Sequence, residues 1–120
     1  MAYRRRVFAK HRFDERLGGY AYMEDCDLSA RVSFESRLLF NPEARLFHFH
    51  SPASRDAVVK NKAMLMHNYS YLFFKNFYPK NRLKIIAYAW SVAGLFLEAL
   101  IIRRWDYIRG YANGLRQFYC

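Results

Sequence analysis

The sequence predicts an α/β domain in which short strands and helices are followed by long apolar or amphipathic helices. Three observations lead to this fold class. Residues 44–50 alternate along a period of two, which is typical of a strand. Acidic residues crowd the start of a helical pattern at Glu24, where the helix dipole favours negative charge. Residues 85–102 form an apolar run with Glu98 as its only charge, which indicates a long helix.

Composition limits the class of protein before any motif is considered. The chain has 120 residues, enough for one small domain, and 53% of them are hydrophobic, so it is built to bury a core. The net charge of +10 favours anionic partners such as phosphates or acidic lipid head groups. No nucleic-acid-binding motif accompanies the charge, so a nucleic acid polymer is not an expected partner. Cys26 and Cys120 lie too far apart in sequence to indicate a disulfide framework.

The first elements are short. Residues 1–13 are compatible with a short strand that runs into a basic helical turn, and the paired glycines Gly18 and Gly19 then indicate a loop. Further along, residues 37–40 and 44–50 look like two strands separated by a turn at 41–42. We therefore expect a small strand-containing layer in the first half of the chain.

The acidic segment after the glycine loop predicts a helix over residues 24–34. Asp27 and Arg31 are spaced for an i, i+4 ion pair on this helix. A carboxylate at a helix start beside a flexible loop is well placed for general base chemistry, and Asp25 is the candidate. The alternative is that Glu24, Asp25 and Asp27 only charge-match the helix dipole. The residues by themselves leave both interpretations open.

The longer helices come next. Ser51 and Pro52 are typical of a helix start and predict a helix from about residue 53 to residue 77, which ends before Pro79. The run 85–102 corresponds to a helix about 27 Å long, near the lower limit for spanning a bilayer. It is flanked by basic residues on both sides, which suits a spanning helix, a helix in the membrane interface or a core helix against a partner.

A pair of histidines is the second candidate site. On a strand over 44–50, His48 and His50 would point to the same side, about 7 Å apart at the backbone. Two imidazoles so placed can bind a divalent cation or a diphosphate. They can equally be half-buried side chains beside an aromatic strand, because two ligands make an incomplete metal site.

Taken in order, five pieces of the chain resemble the C-terminal half of a family 2 glycosyltransferase, an inverting enzyme of the GT-A fold. The pieces are residues 1–5, 13–17, 22–31, 37–44 and 48–54. The specific motifs are Phe13-Asp14-Glu15, Glu24-Asp25-Cys26-Asp27-Leu28 and Pro42-Glu43-Ala44. The resemblance covers residues 1–78 as a partial GT-A-like domain carrying the acceptor side and the catalytic base. Residues 79–120 resemble the apolar, basic-flanked tail of membrane-associated members.

The resemblance implies transfer of a sugar from a nucleotide-diphosphate donor to an acceptor hydroxyl with inversion, in the synthesis of cell-surface polysaccharide or glycolipid. Asp25 would be the general base that takes the acceptor proton. Glu24 and Asp27 would shape the acceptor site around it. The expected location is the cytoplasmic face of the cell membrane, against an anionic lipid surface.

Substrate and metal positions also follow from the resemblance. It implies substrate-binding roles for Gly19, Tyr22 and Arg31, although Arg31 also suits a structural role through Asp27. His48, with His50 as second choice, would help to hold Mg²⁺ or Mn²⁺ and the donor diphosphate. The metal would offset the charge that develops on the leaving diphosphate.

One departure from the family pattern concerns the donor site. The nucleotide-binding half with its Asp-x-Asp motif has no counterpart here, since Asp25-Cys26-Asp27 lies in the base motif instead. Met1 aligns with an interior strand of the family, so we expect this chain to be a fragment that is inactive alone. The competing hypothesis is a non-catalytic module that binds a membrane surface or a partner and retains part of the fold.

Overall fold

Residues 2–17, 23–47 and 57–120 are described by a computed structural model of the chain. Helices are the only regular elements in these ranges. The order is a 3-10 turn followed by four α-helices, with a π-helical turn after the second: 3-10 turn Arg5–Ala9, α1 Glu24–Ser33, α2 Val58–Leu72, π turn Phe73–Phe77, α3 Lys84–Ile101 and α4 Trp105–Tyr119.

The predicted α/β class is wrong for the described residues, because none of the expected strands forms there. Residues 1–13 contain the 3-10 turn, while residues 37–40 and 44–47 have irregular backbone apart from a turn between them. A strand needs a neighbouring strand to bind its backbone N–H and C=O groups, and the alternating pattern supplies only the side chains. Leu39 and Phe40 are each 91% exposed, so no described layer covers this segment. Residues 48–50 of the second predicted strand lie outside the described residues.

The helix predicted over 24–34 is confirmed as α1. It begins after Met23, whose left-handed backbone (φ 72°) turns the chain into the helix. Three acidic side chains occupy the first turn and Arg31 the last, which matches both ends of the helix dipole. Leu28 and Val32, one turn apart, are buried against the rest of the chain.

The second predicted helix is confirmed over its described part. α2 begins at Val58, and the expected start near residue 53 lies outside the described residues. Its last turn widens into the π turn, where the N–H of Tyr78 donates to the carbonyl of Phe73 at 3.0 Å. The helical backbone ends before Pro79, as the sequence predicts. The π turn carries Lys75 and Asn76, which face α1.

The main packing contact of the described chain joins α2 to α4, and two glycines make it close. Gly110 and Gly114 are one turn apart on α4 and are both buried against α2. A Cβ atom at Gly114 would overlap the carbonyl oxygen of Ala63 and lie 2.8 Å from the Cβ of Met66. Glycine at these positions therefore lets the two helix backbones approach directly.

α3 closes the core from one side only. Met66, Ala99 and Tyr111 form a buried cluster contributed by α2, α3 and α4. Towards the start of α3, Tyr88 stacks on Phe73 with ring centroids 4.6 Å apart. The opposite side of α3 is exposed. Its large apolar side chains there include Ile86, Trp90, Leu97 and Ile101.

Candidate functional site

The acidic residues at the start of α1 have different environments. Asp27 is completely buried, whereas Glu24 and Asp25 are exposed on the first turn. A helix turns by 100° per residue, so side chains two positions apart point to different sides. One side of α1 thus meets the interior, and the other presents Asp25 to solvent.

Asp27 is held by donors from two elements. Its Oδ2 accepts a hydrogen bond from Arg31 Nε at 2.9 Å, which realises the predicted i, i+4 pair. Its Oδ1 accepts hydrogen bonds from Lys75 Nζ at 2.9 Å and from Asn76 Nδ2 at 2.8 Å. A buried carboxylate is stable only when charge partners and donors compensate its lost hydration, and both oxygens are compensated here.

Lys75 also binds a second carboxylate. Its Nζ lies 2.6 Å from Asp14 Oδ2, and the same oxygen accepts a hydrogen bond from the Tyr71 hydroxyl at 2.7 Å. The Lys75 ammonium therefore bridges the segment that contains Asp14 to α1. We call the set of Asp14, Asp27, Arg31, Tyr71, Lys75 and Asn76 the anchor network. Its two carboxylates balance its two cations.

The anchor network lowers the pKa of both carboxyl groups. Burial by itself raises the pKa of Asp14, but hydrogen bonds from Lys75 and Tyr71 outweigh it and hold the pKa well below its usual range. For Asp27, burial again raises the pKa, and donors on Asn76 and Lys75 lower it by more. The pKa of Lys75 is raised, because its hydrogen bonds to the two carboxylates outweigh its own desolvation.

A dependence of stability on pH follows. Both carboxyl groups have lower pKa values in the folded chain than the unfolded value of 3.8, so their stabilisation is present above that pH. We expect the free energy of unfolding to fall as the pH drops below about 4 towards the folded-state values. Lys75→Met is expected to make this fall shallower. The measurement is urea unfolding followed by circular dichroism between pH 7 and pH 3, and equal slopes in both proteins would contradict the assignment.

Asp25 is available for chemistry in a way that Asp27 is not. One oxygen of Asp25, Oδ1, accepts the N–H of Cys26 at 2.8 Å, and the side chain is exposed. Asp25 also accepts at its carbonyl oxygen from Ser29 Oγ at 2.6 Å, which ties the first turn of α1 to the second. The carboxylate is thus oriented by a short local hydrogen bond and open to an incoming hydroxyl group.

Several predicted site residues lie outside the described residues. They are the substrate-binding candidates Gly19 and Tyr22 and the metal candidates His48 and His50. Within the described ranges, no group of three His, Cys, Asp or Glu side chains is placed to hold a metal ion. Asp27 does not suit a metal because its two oxygens already bind Arg31, Lys75 and Asn76.

The sequence prediction missed the residues that hold Asp27 from the other side. Lys75 and Asn76 were expected only as part of a helix end, and Asp14 as part of a family motif. One local signal was present: Lys75 interrupts an otherwise largely aromatic segment, residues 71–78, and Tyr71 lies four residues before it, at i, i+4 spacing. A lysine kept among aromatic residues suggests a buried partner for its charge.

A second feature with functional meaning is the exposed side of α3. Among the described helices one, Lys84–Ile101, is long and apolar enough to cross a membrane, a property that core helices of soluble proteins share. Only 11% of that stretch is buried inside the chain, and Trp90 is 81% exposed. Basic residues lie on both flanks: Lys80, Arg82, Lys84, Arg103 and Arg104.

No family model, no curated protein and no solved structure matches this chain.

Proposed function

We propose that this chain supplies the acceptor side of an inverting, membrane-associated glycosyltransferase in which Asp25 is the general base. The observation that carries the proposal is the contrast on α1: Asp27 is buried and bound on both oxygens, and Asp25 is exposed two residues earlier. A general base has to be fixed in position and reachable by its substrate. The anchor network provides the first property, and the exposed first turn provides the second.

The proposed step is a direct displacement. The acceptor hydroxyl oxygen attacks the anomeric carbon of the donor sugar, its proton passes to the Asp25 carboxylate, and the nucleoside diphosphate leaves with the electrons of the broken bond. Inversion follows because attack and departure occur on opposite faces of the sugar. A bound Mg²⁺ or Mn²⁺ would offset the charge on the leaving diphosphate, with His48 and His50 as the proposed ligands in this chain. Glu24 would contact the acceptor, while Asp27 positions α1.

The proposed location is the cytoplasmic face of a membrane. The exposed apolar side of α3, with basic residues at both ends, suits a helix that rests in the interface, where apolar side chains enter the lipid and lysines and arginines meet anionic head groups. An acceptor destined for a cell-surface polysaccharide or glycolipid would be presented at this surface.

Asp25→Asn is the test of the base assignment. We expect sugar transfer to fall about 10²–10⁴-fold, because asparagine keeps the shape of the side chain and cannot accept the proton. Transfer is measured from a panel of nucleotide sugars. The assay uses membranes prepared from cells that express the native coding region, with any sequence upstream of Met1 included. Glu35→Gln is the matched control, since it removes an exposed acid just beyond the end of α1. Unchanged transfer in Asp25→Asn would contradict the assignment of Asp25 as the general base.

The second candidate function is a non-catalytic module that binds a membrane surface or a partner. The exposed side of α3 favours it independently of any catalytic residue. Two measurements separate the two functions. A binding module stays on anionic vesicles at low salt and dissociates as the salt concentration rises. In the transfer assay it shows no sugar transfer, with or without the Asp25→Asn substitution. Transfer that depends on Asp25 would support the enzyme.

A further inference from the structure

A cleft of about 790 Å³ lies between α2 and α4, and Asp25 is not among the residues that line it. Its volume falls within the range of about 300–1,000 Å³ that is usual for small-molecule sites. The side chains that give it polar character are Arg16, Lys60, His67, Asn68, Asn113 and Gln117. They come from the described segment that ends at residue 17, from α2 and from α4.

The residues that line the cleft favour a negatively charged ligand. Arg16 and Lys60 contribute two cations, and Asn113 and Gln117 contribute amide groups that can donate hydrogen bonds. None of the described residues that line the cleft is Asp or Glu. The first turn of α2 lies at the same cleft, with Val58 and Val59 in its wall, so the positive end of the helix dipole adds to the two side-chain charges.

His67 is the lining residue with an unpartnered buried polar atom among the described residues. Its Nδ1 is buried and has no hydrogen-bond partner among the described residues, while its ring packs edge-on against Phe118 with centroids 5.9 Å apart. A buried ring nitrogen without a partner is unfavourable, and most such atoms in proteins are satisfied by side chains, water or a ligand. His67 is also among the residues that line the cleft, so its ring can report on a ligand bound there.

We propose that the cleft between α2 and α4 is a binding site for a phosphate-bearing ligand. Phosphate oxygens accept charge-assisted hydrogen bonds from guanidinium and ammonium groups, and the amide groups can bind the remaining oxygens. The shared chemistry is a phosphate or diphosphate group, carried either by a lipid head group or by a soluble compound. The proposal does not depend on the transferase function, because it concerns binding alone.

The first arm of the test uses inorganic pyrophosphate and the purified full chain. Isothermal titration is expected to show binding that weakens about tenfold in Lys60→Gln, the loss of one charge-assisted contact. Lys10→Gln removes the same charge at a site outside the cleft, where Lys10 lies 3.6 Å from Glu35 on the surface, and should change the dissociation constant less than about twofold. Equal weakening in both variants would show a non-specific charge effect and overturn the proposal.

A measurement on the unmodified chain guards against a variant that does not fold. Nuclear magnetic resonance during the pyrophosphate titration should shift the ring signals of His67 and the side-chain amide signals of Asn113 and Gln117. Signals of α3, which contributes no residue to the cleft, should stay in place. Absence of pyrophosphate binding, or shifts confined to other residues, would overturn the proposal.

The second arm identifies the source of the phosphate group. Vesicles that contain phosphatidic acid are added to the pyrophosphate complex, with neutral phosphatidylcholine vesicles as the control. A lipid head group is supported if only the acidic vesicles displace pyrophosphate and the His67 ring signals still differ from those of the ligand-free chain. Pyrophosphate that stays bound in the presence of both vesicles supports a soluble phosphate compound.

Discussion

Gly114→Ala is expected to destabilise the chain by about 2 kcal/mol, because the added methyl group has no space between α4 and α2. The Cβ would overlap the Ala63 carbonyl oxygen and lie 2.8 Å from the Cβ of Met66, and neither atom is the free end of a flexible side chain. The two helices would have to move apart along the main contact of the fold. Alanine is the better helix former by about 1 kcal/mol, a gain smaller than the cost of displacing a packed backbone.

Gly94→Ala is the matched control for this prediction. Gly94 lies within α3, and a Cβ there would meet nothing within 4 Å, so only the helix propensity changes. We expect this variant to be as stable as the original chain or more stable by about 0.5–1 kcal/mol. Thermal unfolding followed by circular dichroism compares the two. A similar loss of stability in both variants would mean that close packing of α4 on α2 is not the reason for glycine at position 114.

Asp27→Asn is expected to cost about 3 kcal/mol of unfolding free energy. Asparagine has nearly the same size, but it removes the negative charge that compensates Arg31 and Lys75. It also places an amide N–H group, itself a donor, where these two donors need an acceptor. The cost belongs at the lower end of the range for a broken buried ion pair, because Lys75 keeps its contact with Asp14 at 2.6 Å. The measurement is urea unfolding at pH 7.

Asp106→Asn is the control for an ion pair that lies on the surface. Asp106 and Arg104 form a hydrogen-bonded pair at 2.7 Å near the start of α4, and water screens both groups. We expect no measurable change in stability for this variant at physiological salt. If Asp27→Asn also left stability unchanged, the anchor network would not hold α1, and the positioning role of Asp27 in the proposed function would fall with it.

The elements that the sequence predicted correctly have signals within a few residues of one another. α1 follows from acidic residues in its first turn and from Leu28 and Val32 one turn apart. α3 follows from an uninterrupted apolar run, and its bounds, Lys84–Ile101, differ by one residue at each end from the predicted range 85–102. The Asp27–Arg31 pair is also local, because i, i+4 spacing on a helix brings the two side chains together.

The predicted strands failed because a strand is not a local structure. The alternation in residues 44–50 and the apolar run in 37–40 are necessary for a strand, but the backbone hydrogen bonds must come from another segment. Phe40 and Phe47 are largely exposed, so these side chains meet no described neighbour that could form a covered face. The resemblance in motif order did not identify a segment that could pair with the predicted strands.

By itself the sequence determined the helix that ends before Pro79, the helix over the apolar stretch 85–102 with its basic flanks, and which carboxylates share the start of α1; the bounds of α4 were not among its predictions. These properties depend on propensity, periodicity and charge over a few turns. Only the tertiary structure decided that Asp27 is buried while Asp25 is exposed, since Lys75 reaches Asp27 and Asp14 across sequence separations of 48 and 61 residues. It also decided that glycine is required at positions 110 and 114, because that need arises from the distance between two helix backbones, which no single segment contains.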